Sequence, residues 1–427
     1  MSLRSLVQPA QTEGDDVLVI GGGVIGLSVA LALLRAGRSV RVLERSHVGA
    51  GASHGNCGTL TPSHAPPLAA PGVLRKAVRW MRKPDAPLYI RPRLDPALWA
   101  WLLHFAARCN ARDWQSSTRH RASLLNASQS LLRELIAREG LQCEYAQTGL
   151  TYVFREASLL QEYLDELPAL QSMGIANEVI DGARLESQEP ALKSGVAGGI
   201  TFPDDCHLRP DRYLAELQRC VEALGGVIEC GVELCRVETS AGQVCAIHTL
   251  QGRRAARDVV LATGAWSPLF ARNLGLRLPI QPGKGYSITW SRPPLVPSRP
   301  LVLKERSVCV TTWESGFRLG STMEFSGYDR SLNRVRLDAL IRGAGEYLHM
   351  PVGEELREEW YGWRPMTWDD LPLLGAVPDR RGLWLACGHG MMGVSMSAVT
   401  GHLLADLICG RTPVVDPTPF DPTRFSR

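Results

Sequence analysis

The chain has 427 residues, 45% hydrophobic and 21% charged, which excludes a disordered or collagen-like protein and leaves room for two domains. Lys+Arg number 47 and Asp+Glu 43, so the formal net charge is +4, too small an excess to point to a nucleic-acid partner. The 11 cysteines show no CxxC or zinc-ligand spacing, so no metal site is expected; they read as free thiols in a reducing, cytoplasmic setting. Residues 1–16 lack the apolar core of a signal peptide, and the longest apolar run, 17–34, is broken by glycines and does not read as a membrane span.

Residues 16–20 are a short β-branched run. Gly21-Gly-Gly-Val-Ile-Gly26 follows at once, then small and apolar residues at helical spacing over 27–36, then a second strand over 39–43 that ends in Glu44. Each part has a physical use. Gly21 allows a tight turn, Gly23 lets a pyrophosphate lie against the backbone, and Gly26 lets the helix approach the strand. The N–H groups of Val24 and Ile25 at the helix start favour phosphate. Glu44 is placed to accept from ribose hydroxyls. The pattern predicts a dinucleotide site; the plain alternative is a strand, turn and helix whose glycines only pack. The segment 45–63 is rich in glycine and serine and suits a loop running beside a ring system, which favours FAD over NAD.

Further along, Pro210 and Asp211 open a helix running to about 225. Strands are expected over 226–238, 243–251 and 258–262, the last leading into Thr263-Gly264. Residues 67–204 carry helical patterns, and 286–290 and 317–320 alternate like strands. The Pro-rich stretch 292–300 reads as a surface turn between strands. Residues 73–83 place Leu74, Ala77, Val78 and Met81 on one helical face and Arg75, Lys76, Arg79, Arg82 and Lys83 elsewhere. That pattern suits a basic helix on an anionic membrane, or a solvated helix packed on its own domain. Gly388-His-Gly-Met-Met-Gly393 precedes a helix expected over 394–408.

In family order the segments GGGVIG (21–26), Glu44, GASHGNCGTLTP (51–62), ATGAWS (262–267), PGKGYSIT (282–289), GFRLGSTMEFSGYD (316–329), GWRPMTWDDLPLLG (362–375) and GHGMMGVSMSAVTGHLLADLI (388–408) resemble the FAD-dependent D-amino-acid oxidase superfamily, with the bacterial D-amino-acid dehydrogenases most alike. The resemblance implies an α/β fold: a Rossmann-type FAD-binding domain built from 1–66, 205–270 and 359–427, with an inserted α+β substrate domain from 67–204 and 271–358. It implies cofactor contacts at Gly21, Gly23, Val24, Ile25, Gly26, Glu44, Arg45, Ser53, Asn56, Cys57, Gly58, Val232, Thr263, Gly264 and Trp266. It extends them to Gly388, His389, Gly390, Met391, Met392 and Gly393.

Arg364 matches the arginine that pairs with the substrate carboxylate, a role suited to a planar, two-pronged donor; otherwise it would stack on Trp360 or Trp363, or pair with Asp369 or Asp370. Tyr286 would hydrogen-bond substrate or only pack, and His54 would touch substrate or only cap its loop. Cys57 reads as a small buried thiol. The implied reaction is FAD-dependent oxidative deamination of a D-amino acid, cyclic ones such as D-proline or 4-hydroxy-D-proline included, by hydride transfer from Cα to flavin N5. The alternatives are a glycine- or sarcosine-type amine oxidase using oxygen and a flavin-binding subunit without turnover of its own. No cysteine follows Arg364 in GWRPMT, so the FAD is expected without a covalent link. The partners expected are an amino-acid substrate and a quinone, protein or oxygen acceptor, with no nucleic acid and with peripheral contact to the inner membrane face as one reading of the basic helix.

Overall fold

The structure is a computed structural model that describes residues 15–81, 85–274 and 276–425. Residues 1–14, where the absence of a signal-peptide core was noted, and Arg82 and Lys83 of the basic segment lie outside the described residues.

Among the described residues the chain forms two large sheets. In the first, Val227–Cys230, Val40–Glu44, Asp15–Ile20, Gly252–Leu261 and Leu383–Cys387 run parallel in that order. Leu373–Ala376 closes one edge antiparallel, and the hairpin Leu234–Ser240 and Gln243–Thr249 extends the sheet from the other half of Gly252–Leu261. Parallel strands covered on both faces must be apolar throughout, and Val17, Leu18 and Val19 are fully buried. The helix Val24–Arg35 lies between the helices Pro210–Ala223 and Ser397–Ile408. Its crossing with the latter is close because Gly401 has no Cβ to strike the Ser28 carbonyl. Leu27, Leu31 and Leu33 are buried along it, each worth about 1.5–3 kcal/mol of apolar transfer.

The second sheet runs, in spatial order, Leu356–Met366, Gln281–Trp290, Gly316–Phe325, Val308–Trp313, Leu301–Leu303, Leu150–Phe154, Gly198–Phe202 and Glu178–Asp181. One of its faces packs on the helix Arg334–Tyr347 through Ile288, Leu319, Leu337 and Leu340. The long helix Ala111–Glu139 packs instead against the helix Ser397–Ile408 of the first unit, where Ser128 Oγ accepts from the Val399 N–H at 3.3 Å.

Several expectations change. The stretch 226–238 is two strands at opposite edges of the first sheet, because Gly231 turns with φ +77° and the Val232 N–H bonds the Glu44 carbonyl. Residues 67–204 are not only helical: they contribute four strands to the second sheet. The strand Leu356–Met366 belongs wholly to that sheet, so a boundary at 358/359 falls inside a strand. The last helix begins at Ser397 rather than 394, since residues 389–396 form turns. The Pro-rich stretch 292–300 is a connection without strand, as expected.

Candidate active site

A cavity of about 1620 Å³ opens between the ends of the first sheet and one face of the second. Typical small-molecule pockets measure about 300–1,000 Å³, so this one has room for a dinucleotide and a further small molecule.

At its floor the glycine turn is built as the spacing suggested. Gly21, at φ +114°, lies against the end of the neighbouring strand: a Cβ there would stand 2.5 Å from the Ala262 carbonyl oxygen. A Cβ on Gly26 would overlap the Gly21 carbonyl, so the third glycine lets helix meet strand. A Cβ on Gly23 would meet only Ser53 Oγ, at 3.4 Å, and would otherwise project into the cavity. That is a cradle any side chain would fill. The Val24 N–H donates to Ser53 Oγ at 3.2 Å, while the N–H groups of Gly23 and Ile25 have no acceptor among the described residues. Glu44 accepts from the Gly22 N–H at 2.8 Å and the Ser46 N–H at 3.0 Å. A carboxylate has about four acceptor positions, so two are left for ribose hydroxyls.

Around this floor Arg45 lies on the Trp266 ring, 4.0 Å from its centroid, and Val232, Thr263 and Gly264 complete the wall. The loop 51–58 crosses above. Asn56 Oδ1 accepts from the Gly58 N–H at 2.7 Å, and the buried Arg318 donates to the carbonyls of His54 and Asn56 at 3.2 and 2.7 Å. Gly58, at φ +77°, has its missing Cβ against the Leu208 carbonyl; it shapes the loop from behind the cavity wall. His389, Gly390, Met391, Met392 and Gly393 face the cavity from the far side. Gly388 lies behind them against Thr367. The His389 ring turns away to Thr400 Oγ1, at 2.9 Å, and burial drives its pKa down to about 3, so it stays neutral. The N–H groups of Met391, Gly393 and Val394 have no acceptor among the described residues. The positive edge is therefore the turn, not the first turn of the helix.

Arg364 lies on the cavity side of the second sheet. Register and alternation place it with Trp360 and Gly362 on one face of its strand. Its guanidinium folds over Gly285 of the neighbouring strand, where a Cβ would overlap Cζ and both Nη atoms. Nη1 donates to the Thr322 carbonyl at 2.6 Å and Nη2 to the Ser321 carbonyl at 3.4 Å. Those two carbonyls are aimed by a bulge: Ser321 and Thr322 have φ +130° and +58°, and the register slips opposite Lys284 and Tyr286. Such backbone costs about 1–3 kcal/mol per residue and collects at functional sites. Burial pulls the Arg364 pKa below its usual value, and among the described residues no carboxylate oxygen comes within 4.0 Å of its nitrogens. The fully buried arginines differ. Arg121 has Asp370 at 3.8 Å, Arg318 has Glu358 at 3.6 Å and Arg336 has Glu324 at 3.9 Å. Asp369 is taken by Arg424 at 2.9 Å, so neither aspartate of the motif is paired with Arg364. A half-buried guanidinium that faces a cavity without a carboxylate partner is a seat for an anion.

Two expected side chains are not arranged as foreseen. His54 is absent from the cavity wall; its Nε2 pairs with Glu358 at 2.8 Å, which raises its pKa. The peptide direction of the loop, held by Arg318, turns it outward. Tyr286 reaches the wall, but its hydroxyl donates to Glu324 at 3.1 Å on the side of the sheet that packs on Arg334–Tyr347. Asn333 and Arg336 share that carboxylate, and burial lifts the phenol pKa well above its usual value. Sequence reasoning missed Gly285, the Ser321–Thr322 bulge and Arg318. The close GKG spacing at 283–285 was the only local signal for the first.

One sheet thus presents phosphate- and ribose-type groups, and the other closes over the reactive end with a lone cation, which is the architecture of a dinucleotide-dependent oxidoreductase. Residues 16–407 match the DAO family, FAD dependent oxidoreductase. The chain belongs to that family, and FAD is its cofactor. It is similar to the D-amino acid dehydrogenase of Paramagnetospirillum magneticum, 35% identical over 421 residues that cover 96% of this chain and 99% of that protein. It is likewise similar to the D-amino acid dehydrogenase of Chromohalobacter salexigens, 33% identical over 429 residues, 96% of this chain and 100% of that protein. In fold it is similar to glycine oxidase from Geobacillus kaustophilus, with a TM-score of 0.76, 24% identity, and 96% and 98% of the two chains covered.

Proposed function

We propose that this enzyme oxidises a free D-amino acid at the Cα–N bond. The observation that carries the reading is Arg364, half-buried at the cavity wall, laid on Gly285 and without a carboxylate of its own among the described residues. The two relatives named above support the D-amino-acid class. Gly23, Ile25, Glu44, Ser53, Arg45, Trp266 and the turn 390–393 are the groups suited to hold the FAD, without a covalent link. Bound FAD supplies a two-electron acceptor.

The chain's own residues bind, orient and dry the substrate. Arg364 takes the carboxylate through two parallel N–H···O bonds, which sets the direction of the Cα–H bond. Trp360, on the same face of the strand as Arg364 and folded over Gly55 and Gly362, is the side chain placed to keep water from that pair. Loss of hydride from Cα is driven by the lone pair of a neutral amine, so no catalytic base is required, and the rate rises with pH as the bound amine deprotonates. Water then hydrolyses the imino acid to a keto acid and ammonia; a ring amine such as D-proline or 4-hydroxy-D-proline leaves as its cyclic imine.

Electrons leave to a quinone, a protein or oxygen. One observation favours a membrane-borne acceptor. On the helix Val73–Trp80 and its cap, Leu74, Val78 and Met81 are 43%, 52% and 51% exposed beside the exposed Arg75, Lys76 and Arg79. The same helix lines the cavity mouth. No helix among the described residues is long and apolar enough to cross a membrane, so contact would be peripheral. Failure to co-sediment with anionic vesicles at low salt would remove this part.

Anaerobic bleaching of the bound flavin by a panel of amino acids tests the whole reading. D-amino acids are expected to bleach it and their mirror images not to. Bleaching by glycine or sarcosine with peroxide release would favour an oxygen-using amine oxidase, and no bleaching by any amine would leave a flavin-binding subunit without turnover.

A further inference from the structure

Cys57 belongs to the loop over the cofactor site, and Cys309 to the strand Val308–Trp313 of the second sheet. Gly320 lies directly opposite Cys309 in an antiparallel pair, a relation that sets Cβ positions about 4.5–5.5 Å apart. Gly320 has no Cβ, and the Cys57 sulfur occupies the vacant place, 2.5 Å from where that carbon would be. Both thiols line the cavity. All eleven cysteines of the chain are free.

The pair is asymmetric. The Cys309 thiol, with the charges of Arg318 and Arg364, holds Cys57 below the usual thiol range against the effect of burial. The neighbouring Cys57 thiol, together with burial, pushes Cys309 well above that range. A thiol more readily ionised beside one less readily ionised has the form of an attacking and a resolving cysteine.

We infer that Cys57 and Cys309 form a hydroperoxide-responsive disulfide that pins the cofactor loop to the second sheet and halts turnover. The Cys57 thiolate attacks the O–O bond of the hydroperoxide. An S–O bond forms, the O–O bond breaks, and the departing alkoxide takes a proton and leaves as an alcohol, or as water from hydrogen peroxide. The Cys309 sulfur then displaces the oxygen of the sulfenic acid. The S–S bond forms, and water leaves carrying the Cys309 proton. In total two thiols give two electrons and two protons to one hydroperoxide. A dithiol reverses the step.

The holoenzyme is treated with hydrogen peroxide, denatured, alkylated and digested, with activity followed in parallel. The expected result is a linked peptide pair joining Cys57 and Cys309, two fewer alkylated thiols, and an activity loss restored by dithiothreitol. Cys230 and Cys235 are exposed and serve as the reference for unselective oxidation. In Cys309→Ser the linked pair disappears and dimedone labels Cys57 instead. Full alkylation of Cys57 and Cys309 at a peroxide dose that oxidises the exposed cysteines would overturn the inference. So would linkage of either to another cysteine, or a bridge formed with no loss of turnover.

Discussion

Gly285→Ala puts one methyl group beneath the guanidinium that is proposed to hold the substrate. The new Cβ would overlap Cζ and both Nη atoms of Arg364. Those atoms are the end of a flexible side chain, so the arginine yields and the strand pairing of Gln281–Trp290 with Leu356–Met366 stays. A hydrogen bond to a charged group contributes about 1.5–3 kcal/mol. Losing one of the two carboxylate bonds, at about 1.4 kcal/mol per tenfold, lowers kcat/KM roughly 10- to 150-fold. The same scale follows from a misplacement of about 1 Å, which costs on the order of 10²-fold. Anaerobic stopped-flow bleaching at varied D-amino-acid concentration measures this, with FAD content from the absorbance ratio as the control for folding. Arg364→Lys is expected to lose at least as much with FAD retained. In the double variant the alanine adds less than about twofold, because it acts through the arginine already removed. Normal kcat/KM in Gly285→Ala, or full additivity with Arg364→Lys, would refute the reasoning.

Glu44→Gln removes the charge and one acceptor from the group bridging Gly22 and Ser46; the FAD dissociation constant, read by ultrafiltration, is expected to rise about tenfold or more, for a loss of about 1–3 kcal/mol. His54→Gln leaves kcat/KM within about threefold, since surface substitutions away from a site stay near ±0.5 kcal/mol and the ring faces Glu358 rather than the cavity; a larger fall would return His54 to the site. Asp205 is buried, accepts from Ser63, and has its pKa pushed up to about 8 from 3.8 by burial. The folded chain holds that proton where the unfolded chain has lost it. The stability Asp205 contributes is therefore complete below about 4 and is lost as pH rises through about 8. The Tm advantage of Asp205→Asn should grow over that interval, and a gap independent of pH would refute the assignment.

The nucleotide floor was readable because it is local: Gly21, Gly23, Gly26 and Glu44 act within one strand, turn, helix and strand, and spacing alone puts them together. The structure added two contacts that the spacing did not show: Gly21 packs on the Ala262 carbonyl, and the backbone N–H of Gly22 bonds Glu44. Arg364 was found through its motif, but the reason it can lie flat was not. Gly285 meets it only through the register of two strands 79 residues apart, Gly285 opposite Gly362, and no local pattern encodes a register. The outward turn of His54 depends likewise on Arg318, more than 260 residues further on. The stretch 226–238 looked like one strand because both halves alternate; a single glycine at 231 sends them to opposite edges of the sheet. For Tyr286 the sequence left both readings open for a simpler reason. In a strand covered on both faces, side-chain type does not tell which face is which.

The strand that bears Arg364 is the outermost of its sheet, and one step past the arginine its exposed rim is not left bare: the Pro365 carbonyl accepts the Gly390 N–H at 3.0 Å. A main-chain link therefore couples the residue proposed to grip the acid to the bend proposed to face the electron sink. On that proposal the gap a hydride must cross is gauged by backbone rather than by side chains able to swing, and a shift of either half drags the other with it. Catalytic alignment in this molecule should survive changes of cavity lining better than any change that loosens that rim.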